Sequence, residues 1–353
     1  MKQLLVVFTG GTIGSKKQGE GIDVDGAGSY SLIDDYNHSA RKRSDVTLHA
    51  IQPLNLLSEN LTTNDWVALA RAIRGLDLTP YDGIVVTHGS DTLAYSAAMI
   101  SYLFAGTRVP IVLTASNYPL ADKRSNGRRN FASAIDFAAG EQLPGVFVVY
   151  EDDKGDMLVY LGTRITQAVS FTDQFGSPYG LPYGKIEDSV FNWLPHDRNP
   201  KPETLRLAAP KTALDWQADS LRLDSGIVYI RPYPGLDYTY YDFASNRPKA
   251  VLHDLHHSGT ACAVEQGPYS LPQFIARCKE LGIDFYICPI RDRSDALYSS
   301  SLRLIEAGAI VIEKLSVEAA VTKLMLAYGM HEDPAEARAF ATESALYFER
   351  NEV

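Results

Sequence analysis

Hydroxyl and carboxylate side chains follow three apolar runs in the first third of the chain. "TGGT", residues 9–12, follows LLVVF; "THGSDT", residues 87–92, follows GIVV; "TASN", residues 114–117, follows PIVL. A positioned hydroxyl can attack a carbonyl carbon, and an acid such as Asp91 can hold a substrate ammonium. The turn around Thr12 has neither a Walker lysine nor GxGxxG spacing, so nucleotide binding is not favoured. The turn can hold an attacking hydroxyl or simply reverse the chain.

The elements that must position these motifs alternate between strand and helix. LLVVF, GIVVTHG, VPIVLTAS and GVFVVY predict buried strands, whereas TNDWVALARAIRGL, with Thr63 as N-cap, DTLAYSAAMISYLF and RRNFASAIDFAA predict helices. This order predicts a parallel sheet covered by helices. Because ligands bind at the carboxyl ends of parallel strands, we expect the three polar motifs to lie together.

The fold class is therefore α/β, with two parts of unequal size. Residues 1–190 are expected to form the larger, N-terminal parallel-sheet domain, which ends in a hairpin, MLVYLGTRITQAVS, that turns near Gly162. The Pro-rich stretch 191–222 is the expected linker. Residues 223–353, in which SGIVYIRPYPG, LPQFIARCKELG and IDFYICPI alternate strand and helix, are expected to form a smaller C-terminal α/β domain.

Composition narrows the classes of function. The chain has 353 residues, 45% of them hydrophobic and 22% charged, and a net charge of −10. This acidic balance argues against nucleic acid as a partner, and no apolar run is long enough to span a membrane. The short apolar start lacks a cleavage site, which favours a cytoplasmic protein. His88 is expected to be a buried histidine, and neither the three cysteines nor His256 and His257 have ligand spacing, so no metal or cofactor is predicted.

Taken together, the two threonine and aspartate motifs resemble those of the bacterial-type L-asparaginases, and within them the cytoplasmic type I branch. The resemblance covers nearly the whole chain and includes TGGTIGS, VVTHGSDTLAYSAAMISYL, PIVLTASNYPLADKRSNGRRN, GTRITQAVSF and RPYPG. It implies an amidohydrolase that converts the side-chain amide of asparagine, or a related small amide, to the acid and ammonia through an acyl-enzyme. It also implies a homodimer or homotetramer.

The resemblance assigns roles to residues at matching positions. Thr12 is the expected nucleophile, and Tyr30, in GAGSYSL, is the expected lid tyrosine that hydrogen-bonds it. Ser90 supplies the hydroxyl of the second motif. The groups expected to hold the α-carboxylate and α-ammonium of the substrate are Ser58, Glu59, Ser90 and Asp91, and Ala115 lies in the wall of the expected pocket.

Three departures from the family pattern leave two hypotheses open. Ser90 replaces threonine, "TASN" replaces "TGSQ" through Ala115 and Asn117, and Gln167 replaces the lysine that activates the second-motif hydroxyl. A glutamine cannot act as a base. The first hypothesis is a working asparaginase-like enzyme; the alternative is a catalytically weakened relative that binds an amino acid or a partner. Lys123 is a candidate replacement base, and Cys288 lies where some type I relatives bind an effector amino acid.

Overall fold

The structure is a computed structural model that describes residues 1–18, 21–24, 26–208, 214–290, 294 and 296–350. The chain divides into two compact units. Within the described residues, the first comprises 1–221 together with 346–348, and the second comprises 222–345 with 349–350. The predicted linker, 191–222, lies in the first unit except for its last residue, and its residues 209–213 fall outside the described residues.

An eight-stranded sheet in the order β10-β9-β8-β7-β6-β5-β1-β4 organises the first unit. The five strands from β4 to β7 are parallel, and β8 to β10 extend the sheet antiparallel. The strands are β1 (Lys2–Phe8), β4 (Val46–Ile51), β5 (Gly83–Thr87), β6 (Pro110–Thr114), β7 (Gly145–Glu151), β8 (Met157–Leu161), β9 (Gly184–Glu187) and β10 (Val190–Trp193); β2 (Ser15–Gln18) and β3 (Gly21–Val24) form a separate ribbon.

Two helices of this unit, Leu93–Leu103 and Gly127–Gly140, pack on the central strands of the sheet. The helices of the unit are α1 (Gly26–His38), α2 (Thr63–Arg74), α3 (Leu93–Leu103), α4 (Gly127–Gly140) and α5 (Pro202–Ala208). Every residue of β5 and β6 is buried, as expected for parallel strands with both faces covered. The cap of α2 is Thr62 rather than the predicted Thr63, because the Asp65 carboxylate accepts the Thr62 N–H at 2.8 Å.

The second unit has a four-stranded parallel sheet in the order β11-β12-β13-β14. Its elements are β11 (Ile227–Ile230), β12 (Ala250–Asp254), α6 (Leu271–Glu280), β13 (Asp284–Ile290), α7 (Ser299–Glu306), β14 (Ile310–Glu313), α8 (Val317–Met330) and α9 (Pro334–Thr342). Phe274 of α6 stacks on Tyr238 and meets Phe285 edge-on, which joins helix, loop and sheet in one aromatic core.

The predicted fold class is confirmed, with corrections to individual elements. The predicted hairpin turn near Gly162 is wrong, because β8 ends at Leu161 and pairs antiparallel with β7 on one side and β9 on the other. Sequence patterns also missed several elements, namely β2, β3, β4, β9, β10, β12, α1, α5 and α9. None of the helices in the described ranges combines the length and apolarity that a bilayer crossing requires.

Candidate active site

The three polar motifs lie side by side at the carboxyl edge of the first sheet. Phe8 at the end of β1 pairs with Thr87 at the end of β5, and Thr87 pairs with Thr114 at the end of β6. The Thr9 hydroxyl donates to the Thr87 carbonyl at 2.9 Å, and the His88 N–H donates to the Thr114 carbonyl at 2.8 Å. These bonds continue the ladder past the strand ends, so the loops leave the sheet together.

The TGGT turn and the HGSD loop approach each other at two glycines. Gly11 has a φ of +73°, and a Cβ atom placed on it would lie 2.5 Å from the Cα atom of Gly89 and 2.8 Å from the carbonyl carbon of His88. Real Cβ atoms do not approach backbone so closely. Glycine is therefore required at position 11 both by the left-handed conformation and by contact between the two loops.

A third segment, residues 55–60, is hydrogen-bonded to both loops. The Leu56 N–H donates to the Thr9 carbonyl at 3.1 Å, and Leu56 in turn accepts the Gly11 N–H at 2.9 Å. The Thr92 hydroxyl donates to the Ser58 carbonyl at 3.0 Å. These bonds bring buried Ser58 next to the exposed Asp91, and its hydroxyl lies 3.5 Å from the Asp91 carboxylate.

A chain of buried hydrogen bonds fixes the backbone of the HGSD loop. The Nδ1 atom of His88 lies 2.8 Å from the Gly89 carbonyl, which can only accept, so Nδ1 carries the proton. The Ser96 hydroxyl then donates to Nε2 at 2.9 Å and accepts the Trp66 indole N–H at 2.8 Å. Burial lowers the pKa of His88, so the ring is neutral; it holds the loop and is too enclosed to contact substrate.

Gln167 reaches this loop from the segment that follows β8. Its side-chain amide donates to the backbone carbonyl of Asp91 at 2.6 Å. The contact places the Gln167 side chain beside the Asp91–Thr92 peptide. A glutamine amide in this position supplies a donor to the loop and no base.

The remaining predicted site residues occupy different environments. Tyr30 lies in α1 rather than in a loop, is 47% exposed, and has its ring 5.6 Å from that of Phe8. Glu59 is exposed beside Ser58 in the 3-10 helix 58–60. Ala115 is fully buried, and its carbonyl accepts the Asn130 side-chain amide at 2.9 Å. Thr12 begins the 3-10 helix 12–14, which contacts α1.

Asn117, the last residue of the TASN motif, contacts a group that sequence reasoning missed. The Asn117 amide donates to the Asp173 carboxylate at 2.6 Å, so its side chain joins two loops. Burial raises the pKa of Asp173, and the Asn117 hydrogen bond partly opposes that rise. Nothing in the spacing between positions 117 and 173 predicts this pair. Asp173 lies, like Gln167, in the irregular segment between β8 and β9, whose path the sequence pattern does not determine.

The other candidate groups take no part in these contacts. Lys123 is exposed. Cys288 is fully buried in the second unit, and burial raises the pKa of its thiol, so it is a weak nucleophile. Over the ranges that the structure describes, histidine, cysteine, aspartate and glutamate do not cluster in a way that could hold a metal ion.

Comparison with known proteins identifies the class. The family described as "Asparaginase, N-terminal" matches residues 3–197. L-asparaginase of Thermococcus kodakarensis is 29% identical over 349 residues, which cover 95% of each chain, and its solved structure superposes with a TM-score of 0.76 over 99% of each. L-asparaginase 1 of Escherichia coli K12 is 33% identical over 181 residues, 50% of this chain and 51% of that protein.

The fold and the matched domain are those of an asparaginase-like amidohydrolase. The chain belongs to the asparaginase family, and it is an enzyme of that kind. Asparaginase I of Vibrio cholerae has the same fold, with a TM-score of 0.76 over 99% of both chains at 24% identity.

Proposed function

We propose that this enzyme hydrolyses the side-chain amide of asparagine, or of a closely related small amide, through an acyl-enzyme on Thr12. The Thr12 oxygen attacks the amide carbon, the C–N bond breaks, and the amide nitrogen leaves as ammonia after taking up the hydroxyl proton of Thr12. Water then attacks the ester, which releases the free acid and returns the proton to Thr12. Asp91 and Glu59 bind the α-ammonium, and Ser58 binds the α-carboxylate.

The observation that carries this proposal is the contact between Gly11 and the Gly89 backbone. It brings the turn before Thr12 against the loop that bears Ser90 and Asp91, with Ser58 alongside. An attacking hydroxyl and an ammonium-binding acid on adjoining loops fit a small amino-acid amide. The acid lies just before the amino end of α3.

The hydrogen bond from Gln167 to the Asp91 carbonyl favours a second candidate function. If the family lysine is required to activate the Ser90 hydroxyl, a glutamine there removes about 10²–10⁴ in rate. The chain would then bind amino acids at this site and turn them over slowly. Binding and turnover must therefore be measured separately.

The experiment measures ammonia release from L-asparagine, L-glutamine, their D-isomers and small amides. It compares wild type with Thr12→Ala and with Thr239→Ala, which removes an exposed hydroxyl of the second unit. We expect Thr12→Ala to abolish release while L-aspartate still binds by calorimetry, and Thr239→Ala to behave as wild type. Hydroxylamine added to wild type should divert the acyl group to a hydroxamate.

Each outcome has a defined meaning. Ammonia release that survives in Thr12→Ala refutes the Thr12 acyl-enzyme. Binding of aspartate with no release from any amide by wild type supports the weakened relative. The homodimer or homotetramer, the cytoplasmic location and the assignment of residues 1–190 as the catalytic domain stay predictions from the resemblance.

A further inference from the structure

A second cleft lies within the first unit, at the opposite edge of the sheet from the candidate active site. It has a volume of about 430 Å³ and is formed where α2 and α3 end and where the chain enters β5 and β6. Its walls include Leu78, Leu103, Phe104 and Val109, with Arg74 and Arg108 beside them. Clefts of about 300–1,000 Å³ with apolar walls and few polar groups are typical of small-molecule sites.

Two residues of the cleft wall, Leu103 and Phe104, contact a neighbouring segment of the chain. The indole N–H of Trp216 donates to the Leu103 carbonyl at 2.6 Å, and its ring meets Phe104 edge-on with centroids 5.8 Å apart. Arg71 donates from Nε to the Ala218 carbonyl at 2.6 Å, which ties the same segment to α2. These contacts fix the ends of α2 and α3 against the segment 216–218 beside the cleft.

The charged groups at the cleft are both cationic. Arg74 and Arg108 are exposed, and neither forms an ion pair with a residue that the structure describes. The Arg74 guanidinium lies 5.2 Å from the centre of the Trp216 ring, which holds it at the rim. Within the described part of the chain, no carboxylate lines the cleft; nearby Asp77 is occupied by the N–H and hydroxyl of Thr79. In a chain of net charge −10, the rim of this cleft is a local concentration of positive charge.

The helix ends limit the charge of any anion bound there. Both α2 and α3 direct their carboxyl ends toward the cleft, and these ends carry partial negative charge. The facing carbonyls of α3 are already occupied, because Leu103 accepts from Trp216 and Phe104 accepts the Thr107 N–H at 2.9 Å. A multiply charged phosphate is disfavoured there, whereas one carboxylate held by the guanidiniums is not.

We propose that this cleft binds a small organic monocarboxylate whose apolar body packs on Leu103, Phe104 and Val109 and whose carboxylate pairs with Arg74 and Arg108. Such a site is separate from the asparaginase chemistry.

The test titrates the protein with 3-phenylpropionate, 3-phenylpropanol and 3-phenylpropylamine by calorimetry, with L-aspartate present to occupy the candidate active site. We expect the carboxylate to bind at least about tenfold more tightly than the alcohol, because a hydrogen bond between a guanidinium and a carboxylate is roughly twice as strong as a neutral one. The amine should not bind. Nuclear Overhauser contacts from the phenyl ring should reach Phe104 and Val109.

Two variants and one control locate the binding. Arg74→Gln with Arg108→Gln removes both guanidiniums and should weaken carboxylate binding at least about tenfold; Leu78→Trp fills the cleft and should weaken it with the charges intact. Arg231→Gln removes the same charge from an 82% exposed side chain in the second unit and should change nothing. Equal binding of acid and alcohol, an unchanged affinity in the double variant, or no binding of 3-phenylpropionate at about 10 mM, a concentration well above the millimolar Kd of a weak site, overturns the proposal.

Discussion

Replacing Gly11 by alanine tests the central contact of the candidate site. A left-handed φ costs an L-residue about 1–2 kcal/mol, and Gly11 has a φ of +73°. The added methyl would also lie 2.5 Å from the Gly89 Cα atom, so the backbone must separate by about 1 Å, and overpacking of this kind costs about 1–3 kcal/mol. We expect Gly11→Ala to lower the free energy of unfolding of the first unit by about 2–5 kcal/mol.

Alanine substitutions at two further glycines separate the conformational cost from the steric cost. Gly180 has a φ of +65°, and a methyl added there would have no atom within 4 Å, so Gly180→Ala should show the conformational cost alone, about 1–2 kcal/mol. Gly89 has an ordinary φ of −85°, but its methyl would lie 2.6 Å from the Ser58 Cβ atom. Gly89→Ala should therefore show the steric cost alone.

Urea unfolding followed by tryptophan fluorescence provides the stability assay, because Trp66, Trp193 and Trp216 are the only tryptophans of the chain and all lie in the first unit. Ammonia release is measured alongside it. A misplacement of about 1 Å reduces rate about 10²-fold, so Gly11→Ala and Gly89→Ala should lose that much kcat/KM and Gly180→Ala should lose little. The reasoning is refuted if Gly11→Ala is no less stable than Gly180→Ala and keeps wild-type activity.

Three other changes have defined outcomes. Gln167→Lys should raise kcat for ammonia release at least about tenfold, because it restores a group able to act as a base beside Ser90; an unchanged kcat would show that the lysine is not needed. Burial lowers the pKa of His253 to about 4, so the unfolded state takes up a proton at a higher pH than the folded state does. The free energy of unfolding, read by far-UV circular dichroism, should therefore fall by up to about 3 kcal/mol as pH drops from about 6.5 to 4. The double variant Tyr238→Phe with His253→Phe, which removes both partners of a 2.9 Å bond, should flatten that slope. Burial raises the pKa of Asp173, so its ionised form opposes folding and Asp173→Asn should raise the melting temperature more at pH 7 than at pH 4; an equal rise at both would contradict the assignment.

Regular periodicity made most of the fold predictable from sequence. Strands β1, β5, β6 and β7 are unbroken apolar runs buried on both faces, and the amphipathic pattern of α2 fixes the side that carries Trp66. The missed strand β4 lies at the edge of its sheet and is mostly half-buried. An edge strand does not need a continuous apolar run, so VTLHAI gives only a weak signal.

The sequence predicts which motifs of the site lie side by side where the order of the strands determines it. TGGT, THGSDT and TASN meet because β1, β5 and β6 are adjacent and parallel. The pairs that lock them are set by packing: Gly11 against Gly89, and Asn117 with Asp173. No spacing rule relates these positions, since they lie in loops whose paths depend on the finished fold.

The identity of residue 167 and its contacts in the structure give different information about its role. Its identity says that no base stands at this position, which predicts weak activity. The structure adds that its amide donates to the Asp91 carbonyl at 2.6 Å, so the residue stabilises the loop that holds Asp91. Gln167 therefore helps to hold the backbone of the HGSD loop, and the proposed mechanism needs another group or water for the proton transfer that the resemblance assigns to the family lysine. That is why the Gln167→Lys variant should be scored on kcat, which follows proton transfer, and on aspartate affinity, which follows the loop.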